Sequence, residues 1–471
     1  MLVGFVLLYL LASIGVGLYA ATRVHGAGDF AVAGSRLGTP IVAATVFATW
    51  FGAETVLGIP AAFWKDGIGG VVADPFAATA CLVLIAFVYA RPLHRIDALT
   101  LGDYFRSRFG RASEILLSLC IAFSYLGWIA AQFVALGLAF NVLSAGAIEL
   151  RTGILIGAAI VLVYTMAGGM WSVALTDLMQ AAVIVVGLLY VAWQAADMAG
   201  GAARVWQAAE ASGRLRPPAI GSARDALGIA AAALVIVFGS VPQQDVFQRV
   251  KSARDEAIAV RATLAGAVVY FVVAAVPMFL VTAAALIDPQ LVERLMAKDH
   301  QLILPTLIVE RMPVAAQALF FGALLSAILS TASGALLAPA VTIAENLLRP
   351  LLPPLDDAKL LLTMRLTVLA LGAAVAAIAL ASHLSIYELV NDSGKIVLAG
   401  AFVPLTAGLF WKRANAAGSL AAVTMGIAVW LGAEQWTPGG VVPPVLAGLA
   451  ASAAGMLLGS LAPSRRVPAP G

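Results

Sequence analysis

Ser326, Ser330 and Ser333 stand at i, i+4 and i+7 in one apolar segment, so their hydroxyls share a helical face. Aligned hydroxyl oxygens suit a hard cation such as sodium, which prefers oxygen donors. Unwound backbone nearby would add carbonyl oxygens without burying a full charge. The same serines also read as small residues that let helices pack closely. Two other segments offer unwound backbone, because glycine and proline interrupt them near the middle. One reads Ala48-Thr49-Trp50-Phe51-Gly52-Ala53-Glu54 and then Gly58-Ile59-Pro60; the other reads Phe238-Gly239-Ser240-Val241-Pro242-Gln243-Gln244-Asp245. Asp177, just past the pair Gly168-Gly169, is either a helix N-cap or a second cation ligand, and its position favours the cap.

The elements that must position these groups are membrane helices. Of 471 residues, 62% are hydrophobic and 11% charged, and the mean hydropathy is +0.98. Soluble domains carry about 25% charged residues, so a soluble enzyme, a disordered chain and a nucleic-acid binder are excluded. The net charge of +3 implies no polybasic partner surface. Cys81 and Cys120 lie in apolar runs without a CxxC, and the four histidines are scattered through or beside polar connections. Neither a disulfide framework nor a resident metal or organic cofactor is expected.

A spanning helix needs about 20 mostly apolar residues. Thirteen segments qualify: 2–22, 39–63, 69–90, 114–146, 152–169, 174–197, 225–247, 262–287, 314–347, 360–381, 384–411, 415–435 and 441–462. The first has no basic residue before Arg23, so it reads as a retained helix and not a cleaved leader. With the N-terminus outside, seventeen lysines and arginines fall on the inner side and nine on the outer, which places the C-terminus in the cytoplasm. The longest connection, 198–224, leaves no room for a soluble catalytic domain.

The two interrupted segments are five segments apart. The expected architecture is therefore all-α, with inverted five-helix repeats at 39–197 and 225–411, each opening on a broken helix. An extra helix and loop (1–38) precede them, and two further helices with a short tail (412–471) follow.

Several stretches carry a resemblance: Leu99-Thr100-Leu101-Gly102-Asp103-Tyr104-Phe105, Tyr164 to Val173 with Thr176, Asp177 and Gln180, Phe247-Gln248-Arg249, and Leu329-Ser330-Thr331. With Ala33-Gly34-Ser35-Arg36 as a looser landmark, they resemble the sodium/solute symporter family in order along the chain. The resemblance implies a main sodium site on the carbonyls of Ala48, Phe51 and Ala327 and the hydroxyls of Ser330 and Thr331. A second cation site found in some members maps onto Asp177, Ser330 and Ser333, with Gly334 where a further serine is expected.

Within that family the chain is similar to the choline-transporter branch. Trp50 and Trp128 resemble two positions of an aromatic cage, while Gln243 and Ala78 stand where the cage has a tryptophan and a tyrosine. Polar residues are added instead: Glu54, a counter-ion for an amine, a proton-titrating group or an internal partner of Lys395, and Gln243, Gln244 and Asp245. Asp245 can equally pair with Arg249, and Asp392 with Lys395. Asp74-Pro75 reads as an outer-gate feature or, more simply, as a helix start.

The sequence thus predicts a non-enzymatic, sodium-coupled symporter in a bacterial-type inner membrane. Its partners are the lipid bilayer, sodium and a small amine-bearing or zwitterionic solute, imported by alternating access. Proton coupling through Glu54 or Asp177 and a ligand-sensing role are the alternatives.

Overall fold

A computed structural model describes residues 2–382, 386–437 and 439–461. Among them every regular element is helical, and nine helices are long and apolar enough to cross a membrane, with one further bent pair. The short apolar helix 39–50, and residues 386–410, fall outside that set because breaks divide them.

Helix α1 (Leu2–Ala21) lies at the periphery. Helix α2 (Thr39–Trp50) starts on Pro40, whose missing amide would be unpaired there anyway, and stops at Phe51, whose φ of −95° and ψ of 78° leave the helical region. A wide turn over Glu54–Gly58 leads into α3 (Ile59–Asp66), and Gly67, at φ 59°, reverses the chain. The next segment opens irregularly: Asp74 is extended and joined to Pro75 by a cis peptide bond, so it does not cap a regular helix start. Helix α4 (Ala78–Leu84) follows and continues to Arg95.

Helix α5 (Leu101–Phe109) is fixed by a capping box between Thr100 and Asp103, and α6 (Arg111–Leu143) spans the molecule. Helix α7 (Leu150–Met198) joins the two segments expected at 152–169 and 174–197 into one element with a break in geometry only at Gly169. There a Cβ would run into the Phe30 carbonyl, so the glycine serves close approach. The outer connection carries α8 (Ala202–Ala211), and Arg214 lies 3.6 Å over the Trp64 ring.

The second break separates α9 (Ala223–Gly239) from α10 (Gln244–Ser252) by 45°. Pro242 forces it, having no amide to donate and pushing its predecessor out of helical geometry. After α11 (Glu256–Ile287) comes α12 (Val314–Thr342), whose apolar window, continued to Leu351, is 94% buried. Its run of Ala, Ser and Gly allows α2, α6 and α7 to approach it closely from several sides. Helix α13 (Asp357–Ala381), α14 (Ile386–Gly400), α15 (Phe402–Phe410), α16 (Ala416–Trp436) and α17 (Pro444–Leu461) complete the chain. The windows of α16 and α17 are only 28% and 33% buried, as expected of helices against lipid.

Candidate functional site

The break after Trp50 leaves backbone groups in need of partners, and α6 and α12 supply them. The Ala53 amide donates to Gln132 Oε1 (3.0 Å) instead of continuing a helix. The Thr331 hydroxyl of α12 donates to the carbonyls of Thr49 (3.0 Å) and Ala48 (3.4 Å). Two members of the expected oxygen set are thus in direct contact. Phe51 lies at the C-terminal boundary of α2, and Ala327 lies one turn before Thr331; both are fully buried.

Ser330 turns the other way. Its hydroxyl donates to Asp177 Oδ1 (2.7 Å), while Oδ2 of the same carboxylate accepts from Thr45. Asp177 is therefore no N-cap: it lies deep inside α7 and ties that helix to α2 and α12. Ser333 donates back to the Ser330 carbonyl (3.0 Å), and Ser326 pairs with Tyr9 (2.5 Å), away from the break. One turn beyond Ser330, the absent side chain of Gly334 makes room for the Arg249 guanidinium, whose Nη2 lies closer than van der Waals contact to where a Cβ would be.

Arg249 is 1% exposed. It donates from Nε (3.1 Å) and Nη2 (2.5 Å) to the Thr49 hydroxyl and from Nη1 to the Asp245 carbonyl oxygen (2.9 Å). The expected Asp245–Arg249 ion pair is thus corrected: Arg249 takes the main chain of Asp245, whose carboxylate accepts from Tyr125.

Between the two breaks lies a cavity walled by Trp50, Glu54, Asp74, Trp128, Gln243 and Tyr270, closed by Ile236 of α9, by Ser240 just after it and by Val390 and Gly394 of α14. Glu54 Oε1 accepts from Trp128 Nε1 (3.2 Å), and Oε2 accepts from Gln132 Nε2 (2.9 Å). Its expected pairing with Lys395 does not occur; the ammonium is 3.9 Å from Glu434. The side chain of Asp392 lies outside the described residues. Four of the six expected solute-site residues line the cavity. Gln244 and Asp245 do not: Gln244 bonds the backbone of Leu99 and Leu101, and Asp245 faces Tyr125.

Sequence reasoning missed Gln132, Tyr270 and the cavity role of Asp74. Gln132 had a signal, since it lies four residues after Trp128 and so on the same face of α6. Tyr270 had none, being a lone tyrosine in a run of valines and alanines. Among the described residues no group of His, Cys, Asp and Glu is arranged to hold a resident metal.

Residues 30–426 match the family model described as the sodium:solute symporter family. The human high affinity choline transporter 1 is 27% identical over 448 residues, covering 90% of this chain and 75% of that protein. The Escherichia coli sodium/pantothenate symporter is 27% identical over 435 residues, covering 89% and 87%. Among solved structures, a Na+-coupled sialic acid symporter in a substrate-bound outward-open state superposes with a TM-score of 0.84 at 21% identity, over 99% of each chain. That likeness establishes the fold.

Proposed function

Since this chain belongs to the sodium:solute symporter family, and is thus a sodium-coupled carrier of a solute, we propose that it imports a small amine-bearing molecule. The single observation that supports the reading is the meeting of the Thr331 hydroxyl with the free carbonyls of Ala48 and Thr49, beside a cavity that holds Glu54. In our reading sodium replaces that hydrogen bond. The ion draws the carbonyls of Ala48, Phe51 and Ala327 and the hydroxyls of Thr331 and Ser330 around itself, fixes the break after Trp50, and so shapes the cavity wall. The inverted repeats at 39–197 and 225–411 then rock against each other, with the N-terminus outside and the C-terminus in the cytoplasm of a bacterial-type plasma membrane.

The second cation position, at Asp177 and Ser333, has a competitor. Arg249 stands at Gly334, one turn from the serine that holds Asp177, and in our reading its guanidinium is the resident cation there. Coupling is then to one sodium ion.

The test is the melting temperature of purified protein, with amines, betaines and amino acids each in sodium and in potassium. A solute that stabilises only in sodium supports coupled binding. Thr331→Val should abolish the sodium increment while keeping the fold. No difference between sodium and potassium for any solute would overturn the site, and stabilisation that instead follows pH would favour proton coupling.

A further inference from the structure

Two carboxylates, the buried Glu54 and the half-buried Asp74, share the cavity wall, and among the described residues neither meets a basic group. Glu54 accepts from the Trp128 indole and the Gln132 carboxamide. Asp74 accepts from the Tyr270 hydroxyl and, at 3.1 Å, from Thr55. All four donors are neutral, so they orient the carboxylates without cancelling their charge. Arg249 is committed to Thr49 and Asp245. A carboxylate left in an apolar wall without a counter-charge is costly, and a ligand that brings the charge relieves the cost.

A separate observation points to a ligand in the same place. Gln243 lines the cavity and is 7% exposed; its main chain is paired at both ends, the amide with the Ser240 carbonyl and the carbonyl with the Phe247 amide, whereas its carboxamide makes no hydrogen bond among the described residues. A carboxamide that faces the cavity can give a bound solute a polar partner. Trp50 and Trp128 flank the same space, and aromatic rings favour a desolvated cation.

Among the described lining residues none carries a positive charge to balance an anion. A zwitterion would bring its own carboxylate into a space that already holds two and offers no arginine or lysine. We propose that the cavity takes a compact dication of the short aliphatic diamine class, one ammonium group meeting Glu54, the other Asp74, with Gln243 accepting a further N–H. The inference rests on the reading of this cavity as the solute site and narrows it: Asp74 becomes a specificity-determining residue that excludes zwitterions.

The experiment compares three probes of one chain length in sodium and in potassium: 1,4-diaminobutane, butylamine and 4-aminobutanoate. Binding is read by thermal shift and by calorimetry on the full-length protein. The diamine is expected to bind at least tenfold more tightly than the monoamine, and the zwitterion weakest of the three. Asp74→Asn, nearly isosteric, should bring diamine and monoamine within about twofold, whereas Glu54→Gln should weaken both amines. A retained sodium-induced shift in each variant shows that it has folded. Sodium-dependent binding of 4-aminobutanoate as tight as the diamine overturns the inference while leaving the sodium-coupled reading standing. Failure of the diamine to bind, or an unchanged diamine preference in Asp74→Asn, also overturns it. Diamine binding of equal strength in potassium would preserve the specificity and overturn the coupling.

Discussion

Arg249 and Asp177 show how a membrane interior keeps charge. Neither charged side chain reaches water: the carboxylate is held by Ser330 and Thr45, and the guanidinium by Thr49 and a main-chain carbonyl. Such groups persist only when each polar atom has a partner. Gly334 is the hinge of this arrangement, because any Cβ there lands on the Arg249 guanidinium. Gly334→Ala is expected to destabilise the protein by about 1–3 kcal/mol, the usual cost of overpacking, read as a lower melting temperature. Gly334→Ser with Arg249→Ala would instead open the second cation position, and a sodium response steepening from a Hill coefficient near one towards two would show it. At this scale the serine stripe was legible in the spacing, and Ser330 does meet a charged group. The partition of its members was not: only the fold decides that Ser326 faces Tyr9 while Ser330 faces Asp177.

At the scale of elements, the two broken helices carry the proposed site, and glycine with proline announced both in the sequence. Asp177 was misread as a cap because Gly168-Gly169 looks like a helix end. Helix α7 instead bends at Gly169 and runs on, since glycine in a membrane also serves to bring backbones together. Gln244 and Asp245 were misplaced for a geometric reason. Helix α10 begins at Gln244, and each step turns the side chain by about 100°, so Gln243 keeps the cavity while its neighbours rotate to Leu99 and Tyr125. Gln132 joins the first break to α6 through both ends of its carboxamide. Gln132→Leu leaves the Ala53 amide and the Glu54 carboxylate each short of a partner, at about 1–3 kcal/mol apiece. We expect a large drop in melting temperature together with loss of solute stabilisation, whereas Gln132→Glu should retain neither contact with Glu54 nor amine binding.

For the whole molecule, the apolar segments read from composition all recur as helices or parts of helices among the described residues. The near-complete burial of α12 follows from its central place, while α16 and α17 remain at the lipid. The shape of the solute was beyond the sequence, because the cavity draws on residues from segments up to about 340 positions apart. Charge accounting gives the molecule a physiological signature. On the proposed coupling, one sodium and one dication would carry three charges inward, each worth about 2.3 kcal/mol per 100 mV, so uptake should rise steeply with an inside-negative potential. The most direct test is accumulation of labelled 1,4-diaminobutane in proteoliposomes under an imposed inward sodium gradient. The account predicts concentrative uptake that stops when potassium replaces sodium, strengthens with an inside-negative potential, and is lost in Thr331→Val. Uptake driven equally well by a proton gradient without sodium, and untouched by Thr331→Val, would contradict it.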